Sequence, residues 1–459
     1  MELQEILNQI PNYKEFMTIA ELDDSSKKLA QSFEHVGLKE IGKSKEGRTI
    51  YCLKIGDGKE NALLFAFPHP NEPIGSMSLE FLSWYLAKNP EFTKKTGYTW
   101  YLIKAIDIDG AILNEGWFKG EFNPLKYAKN YYRPAPYEQV EWSFPINYKK
   151  LKFETPPPET QALMHLIKKL KPKIMYSLHN SGFGGVYFYI SFGIGNLFDD
   201  FVNFVKREHL PLHLGEPEAP FIKKLHDGIF QMFGVQEQYD YLEANGVENP
   251  PEFLKCGTSS YDYLKNIASK ENFTLVCEMP YFYHSSIGDT SLTEFERRYL
   301  RLQSLEYMKN IAIHSKKIFR HIKKFCDKST RMFTAVEEYI RVKRPRLELE
   351  INVTKTSPMY DGKATVSQAF DLNVASRYYS LLTISMIVRL CEEAISIHPE
   401  KEVEITRIKN DLEKWIELKI KDLLSGTKFE VIPIQKLVRV QIGSAFITLE
   451  NLSKNHSKN

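Results

Sequence analysis

Four side chains in this sequence combine types and positions that could do hydrolytic chemistry together. His69 and Glu72 form an H-x-x-E pair. Twelve histidines and 58 acidic residues in 459 supply about 1.5 such pairs by chance, so the pattern alone decides nothing. Context separates it from its rival, His213 and Glu216 in LPLHLGEPEAP, which lies between prolines with no strand leading into it. His69 follows the apolar run LLFAF after a single proline and precedes a helix starting near Pro73. It therefore sits at the C-terminal edge of a strand, where open α/β sheets place their ligands. A catalytic zinc needs three protein ligands and one open position. His179, which ends the run KIMYSLH before the glycine-rich NSGFGG, is the third candidate. The chemistry also needs a base to take a proton from water. Glu278, at the end of FTLVCE, is a carboxylate emerging from an apolar strand, where an idle charge is rarely found.

The elements that must position these residues alternate in type. RTIYCLKIG, NALLFAF, TWYLIKAID, KIMYSLH and NFTLVCEMP read as short strands. SLEFLSWYLAKN and ETQALMHLIKKLK have helical spacing, and Pro172 stops the second. Alternation of this kind predicts an α/β fold with a mixed, mostly parallel sheet between helices. Residues 291–325 read as a long helix or helix pair. Beyond it, 330–343, 371–397 and 399–424 read as helices, and KFEVIPI and KLVRVQIGSAFITLE as short strands. The expected organisation is a catalytic domain over residues 1–315 and a mainly helical domain over 316–459.

The order of these segments resembles the zinc carboxypeptidases, or metallocarboxypeptidases. IGKSKEGRTIYCLKIG followed by HPNEPIG is similar to that family's opening segment and metal loop. KAIDIDG, PPPETQALMHLIKKLKPKIMYSLHNSG, GTSSYDYL and FTLVCEMP continue the resemblance in order, over about residues 38–315. The resemblance implies one zinc per chain held by His69, Glu72 and His179, with Glu278 as general base. Arg133, in NYYRPAP, falls where the family has an arginine that stabilises the oxyanion. It also implies a peptide or peptide-like substrate.

The departures carry information too. Where the family places an Asn-Arg pair that holds a substrate's terminal carboxylate, this chain reads QVEWSFPINY, with Glu141, Trp142 and Ser143. Phe253 falls near the family's substrate-capping tyrosine, and Pro70 replaces a glycine of the metal loop. Glu141 is a candidate for orienting His69, because a metal-bound histidine usually donates its other N–H. The reading is a zinc-dependent hydrolase of amide bonds in peptides or modified peptides. An N-acyl amino acid deacylase is the alternative, and a non-catalytic binding module a third reading. Without the Asn-Arg pair, a broad digestive-type carboxypeptidase is not expected.

Composition sets the remaining bounds. The net charge of +3 does not force a nucleic-acid partner. Residues 316–459 carry 26 Lys and Arg against 18 Asp and Glu, a balance of +8, which leaves −5 for residues 1–315. The basic run 316–346, with Phe319, Phe325 and Phe333 interleaved, is expected to be a solvated helix face with an inward apolar stripe rather than a nucleic-acid contact. Five scattered cysteines without a C-x-x-C, and an acidic start where a signal peptide would be basic, predict a cytoplasmic protein. No run is long and apolar enough to predict a membrane span.

Overall fold

A computed structural model describes residues 3–268 and 271–456. Its centre is a nine-stranded sheet. In chain order the strands are β1 (Val36–Lys43), β2 (Thr49–Ile55), β3 (Glu60–Ala66), β4 (Tyr98–Ile103), β5 (Ile174–Leu178), β6 (Tyr187–Ile190), β7 (Lys224–His226), β8 (Ile229–Gln231) and β9 (Phe273–Glu278). Their spatial order is β1-β2-β4-β3-β5-β9-β6-β8-β7. The four central neighbours β4, β3, β5 and β9 run parallel, while β2 and β6 flank them antiparallel. The expected mixed, mostly parallel sheet is thus present. Every residue of β5 and β9 is buried, which is why both read as unbroken apolar runs rather than alternating ones.

The longer helices, again in chain order, are α1 (Ile19–Ser32), α2 (Ile74–Lys88), α3 (Pro158–Leu170), α4 (Leu197–Arg207), α5 (Arg297–Ile322), α6 (Arg331–Thr356), α7 (Ser376–Ile397), α8 (Glu402–Leu424) and α9 (Ile434–His456). Two segments differ from the sequence expectation. Residues 291–325 do not begin as helix, because Leu292–Glu296 is a strand paired with Lys363–Thr365. KLVRVQIGSAFITLE is not strand but the body of α9. Its β-branched residues suggested extension, yet Leu437, Val438, Val440, Ile442, Ala445 and Ile447 are all buried. A helix wrapped on most sides by protein shows a continuous apolar run, which periodicity cannot tell from a buried strand.

α5 runs unbroken through residue 315, and the principal apolar core joins both parts of the chain. Leu63 and Leu178 of the sheet share it with Phe319, Phe333, Leu381 and Val438. Phe325 lies in it as well, so all three phenylalanines of the basic run face inward. One residue of that run does more. The Arg331 guanidinium, 8% exposed, donates to Asp107 Oδ1 at 3.0 Å and lies 3.7 Å from Asp109 Oδ2. Asp107 also caps the short helix Ile108–Ile112 by accepting from the Gly110 amide at 3.0 Å. The KAIDIDG turn is therefore clamped from beyond residue 316.

Removing one partner of a buried pair strands the other charge, at a cost of about 3–5 kcal/mol. Arg331→Met should lower the unfolding free energy by that order. Adding Asp107→Asn should recover part of it, since Asn cannot be left as a buried charge. Denaturant titration of the single and double variants checks this; strictly additive losses would contradict the pairing.

Candidate active site

Local backbone features bring the site together. β3 ends at Ala66, and Phe67 adopts φ 56°, a left-handed conformation that is uncommon outside glycine. Its carbonyl accepts from the Asp107 amide, and its ring stacks on Phe118 with centroids 6.2 Å apart. The turn delivers His69 and Glu72 ahead of α2. Gly75 lets that helix start against β5, since a Cβ there would lie 2.6 Å from the Leu178 Cβ. Pro70 finds room for a similar reason: a Cβ on Gly110 would lie 2.7 Å from the Pro70 Cβ.

The result is a buried carboxylate with three basic neighbours. Glu72 Oε1 lies 3.1 Å from His69 Nδ1 and 3.2 Å from Arg133 Nη1. Glu72 Oε2 lies 3.0 Å from His179 Nδ1. The two imidazole centroids are 4.8 Å apart. Candidate ligand atoms of His69, Glu72 and His179 all lie within 4.8 Å of one another, and all three residues are buried. Glu278, at the end of β9, places Oε1 3.8 Å from His179 Nδ1. The sequence-selected residues His69, Glu72, His179, Arg133 and Glu278 therefore meet at one place.

Electrostatics follow from burial and these contacts. Burial, then the nearby Arg133 charge, pushes His69 down to about 4, so it is neutral near pH 7. Burial alone would raise Glu72, but His69 and His179 hold it well below the usual carboxylate range. Burial works against a charge on His179, yet hydrogen bonding to Glu141 and Glu72 raises it to about 10. Glu278 is pushed well up, chiefly by burial and next by the Glu72 charge. Two nitrogens and one carboxylate form a donor set that suits zinc. Among the described residues, His69 Nε2 and Asn71 Oδ1 are buried without a hydrogen-bond partner, so the site retains unused polar capacity. A divalent cation would fit by taking over the charge that a proton on His179 otherwise supplies to Glu72.

Glu141 supports a different histidine from the one expected. Its Oε2 accepts from Ser177 Oγ at 2.9 Å, Ser177 Oγ lies 2.8 Å from His179 Nε2, and Glu141 itself is 3.7 Å from that nitrogen. The Ser260 amide and hydroxyl hold its other oxygen. Register explains the choice, because Ser177 is two residues before His179 on β5 and points to the same face. The decoy pair also resolves. His213 Nε2 lies 2.7 Å from the Glu216 carbonyl, and Glu216 receives both Arg297 Nε and Nη2, at 2.6 and 3.0 Å.

Sequence reading missed every contribution to the site from beyond residue 316. Tyr339 of α6 donates to the Pro134 carbonyl and accepts from Gln139, whose Oε1 accepts from Arg133 Nε at 3.3 Å. Tyr379 of α7 accepts from the Gly182 and Phe183 amides, at 2.7 and 3.1 Å, in the loop after His179. Gln441 of α9 is fully buried; it donates to the His179 carbonyl at 2.7 Å and accepts from Ser78 of α2 at 2.8 Å. It thereby ties together the two elements that carry the triad. Its one sequence signal was a lone amide within an apolar run, which needs a buried partner.

In the metal-free protein the proton on His179 links stability to pH. An unfolded histidine titrates near 6.5, whereas folded His179 holds its proton up to about 10. This contribution is fully present below about 6.5 and is lost as pH rises toward 10. Glu141→Gln weakens the hold on that proton, so the decline should end at lower pH. Denaturant unfolding of chelator-treated protein across this range reads both curves; identical curves would contradict the role of Glu141.

Residues 23–193, which include His69, Glu72, Arg133 and His179, match the family model described as zinc carboxypeptidase (Peptidase M14). Among solved structures, the chain is similar to carboxypeptidase A from Helicoverpa armigera at 17% identity, over 59% of this chain and 66% of that one, with TM-score 0.39. It is similar to a Burkholderia cenocepacia metallo-carboxypeptidase at 13% identity, over 57% and 60% of the two chains, with TM-score 0.33. It is also similar to bovine thrombin-activatable fibrinolysis inhibitor at 12% identity, over 75% and 98%, with TM-score 0.33. No curated protein matches the chain. The matched residues, which hold the His-Glu-His group, are similar to the zinc carboxypeptidase (Peptidase M14) family.

Proposed function

We propose that the protein is a zinc-dependent hydrolase of an amide bond in a peptide or modified peptide. The observation that carries this reading is the convergence of His69, Glu72 and His179 next to Glu278 and Arg133. A zinc ion held by the triad would supply Lewis acidity toward an amide carbonyl and acidify water. The protein's own groups then have separable tasks. Glu278 takes the proton from the attacking water and returns it to the leaving amine. Its raised affinity for a proton suits both halves of that exchange. Arg133, with its side chain 25% exposed, presents a permanent charge to an oxyanion. Tyr339 and Gln139 fix the direction of that guanidinium.

Substrate selection departs from terminal-carboxylate recognition. In the stretch that stands where the family has the clamp, Ser143 is buried against Thr160 Oγ1 at 2.6 Å and Phe144 bridges to Thr258. Neither offers a cation. Hydrolysis of internal or modified amides fits this wall better than trimming of free C-termini. The N-acyl amino acid deacylase stays a distinct second reading, because the same missing clamp supports it.

His69→Ala should lower bound zinc together with turnover, measured by elemental analysis after dialysis. Undiminished zinc affinity would refute the ligand assignment. Glu278→Gln should keep the zinc and lose about 10²–10⁴-fold in kcat, since one general base is removed. For one peptide offered as free acid and as C-terminal amide, kcat/KM should differ little. A preference for the acid above about a hundredfold would demonstrate a working carboxylate clamp, since 1.5–3 kcal/mol is typical of a charged hydrogen bond.

A further inference from the structure

Helix α6 crosses from one wall of the cleft to the other. Beside the Arg133 loop, its Tyr339 donates to the Pro134 carbonyl and accepts from Gln139, both at 3.1 Å. Two residues on, Arg341 Nη1 donates to the Glu252 carbonyl at 2.8 Å. Further along, Leu349 packs against the cluster that holds Leu254 and Cys256, as do Trp142 and Phe253. Between these walls lies the segment 139–144, tied to the second wall where the Gly257 amide donates to the Trp142 carbonyl at 2.8 Å. That segment, QVEWSF, has no cation of its own.

Lys343 and Arg346 follow Tyr339 at four and seven residues, so the three share one face of α6. The Arg346 charge acts on the Tyr339 hydroxyl and on the Cys256 thiol, which places that face over the gap between the two walls. Arg346 is exposed, but Lys343 is half-buried. Among the described residues, Lys343 forms no hydrogen bond and no ion pair, whereas Arg341 is paired with Glu338 and Arg344 with Glu348 on the same helix. Holding an amine away from water without a partner penalises its charge. Burial, and after it the Arg346 charge, pushes Lys343 down to about 8, and no carboxylate counters them. The amine is thus still charged at pH 7 and lacks a counter-ion. A carboxylate brought by a ligand would recover what burial costs; a neutral group would not.

The reach of this amine favours one kind of carboxylate. The Glu72 charge acts on Arg133 but is not felt at Lys343, so the amine stands farther from the triad than the guanidinium does. It also lies four residues, or about 6 Å of helix, beyond Tyr339. A terminal carboxylate is fixed to the backbone next to the bond that breaks, whereas a side chain carries its carboxylate outward. We propose that Lys343, on the face of α6 that overlies segment 139–144, forms a subsite for an acidic side chain flanking the scissile amide, with Arg346 beside it. This rests on the amide-hydrolase reading and narrows its substrates to peptides or modified peptides with an acidic residue next to that bond. The cation belongs to a helix beyond residues 23–193, so the family match does not supply it.

The test uses the full chain carrying Glu278→Gln with zinc added, so that binding is read without turnover. Peptides with an amidated C-terminus differ only in glutamate, glutamine or lysine on one or the other side of the same amide, and calorimetry gives their affinities. On one side glutamate should bind about tenfold or more tighter than glutamine, as expected for a hydrogen bond between charged groups. The preference should fall as pH rises through about 8, where the free amine gives up its proton. Lys343→Met should abolish it and Lys343→Glu should shift it toward the lysine peptide. Lys343→Arg should keep it and remove its decline near pH 8, because a guanidinium does not titrate there. Equal affinity for glutamate and glutamine on both sides, no measurable binding of any peptide, or a glutamate preference that survives Lys343→Met would each overturn the proposal. So would a Lys343-dependent preference of the glutamine peptide for a free over an amidated C-terminus, which would assign the amine to the terminal carboxylate. Hydrolysis of the same peptides by the unsubstituted chain reports separately on the hydrolase reading. A Lys343-dependent glutamate preference without any cleavage would sustain the subsite and refute the reaction; cleavage without that preference would do the reverse.

Discussion

The Glu72 carboxylate is the group on which the rest of the site depends. It is buried, and a buried carboxylate is costly unless its oxygens are satisfied. His69, His179 and Arg133 satisfy them from three separate stretches of chain. Each of those stretches must therefore hold its position to within a few tenths of an ångström. The left-handed turn at Phe67, the close start of α2 at Gly75 and the wholly buried β5 are the means by which the first and second are held. Arg133 has no such regular element beneath it. It lies in the loop before the short helix Pro136–Glu138, and it needs Gln139 and Tyr339 instead.

That need explains why the helices after residue 316 cannot be regarded as an appendage. Three of them send a polar side chain to a different wall of the site: Tyr339 to the Arg133 loop, Tyr379 to the loop after His179, and Gln441 to the His179 carbonyl. A fourth contact, from Arg331, fixes the Asp107 turn that holds the Phe67 carbonyl. Each side chain makes no more than a few hydrogen bonds or ion pairs. Together they replace, with helices, the rigidity that a loop cannot supply by itself. The shared apolar core makes the arrangement cooperative, because opening the helices would expose Phe333, Leu381 and Val438 as well.

The parts of this arrangement legible in the sequence were those written locally. His69, His179 and Glu278 each close a short apolar strand, and strand ends are recognisable from composition; Glu72 follows from its spacing to His69. The α/β layering followed from the same alternation. What was not legible depends on distant pairing. The preference of Glu141 for His179 over His69 is a consequence of Ser177 lying on the same face of β5, a fact of register. α9 misled for a physical reason: burial on most of its sides blurs the amphipathic period by which a helix is told from a strand.

The charges of the site also constrain one another in a way that no single residue reveals. Glu72, Glu141 and Glu278 put three carboxylates within 3.8 Å of His179, against the permanent charge of Arg133 on Glu72. Glu278 answers this excess by favouring its protonated form. His179 answers it by retaining a proton that burial would otherwise remove. A divalent cation at the triad would relieve both, releasing the His179 proton and allowing Glu278 to ionise and serve as a base.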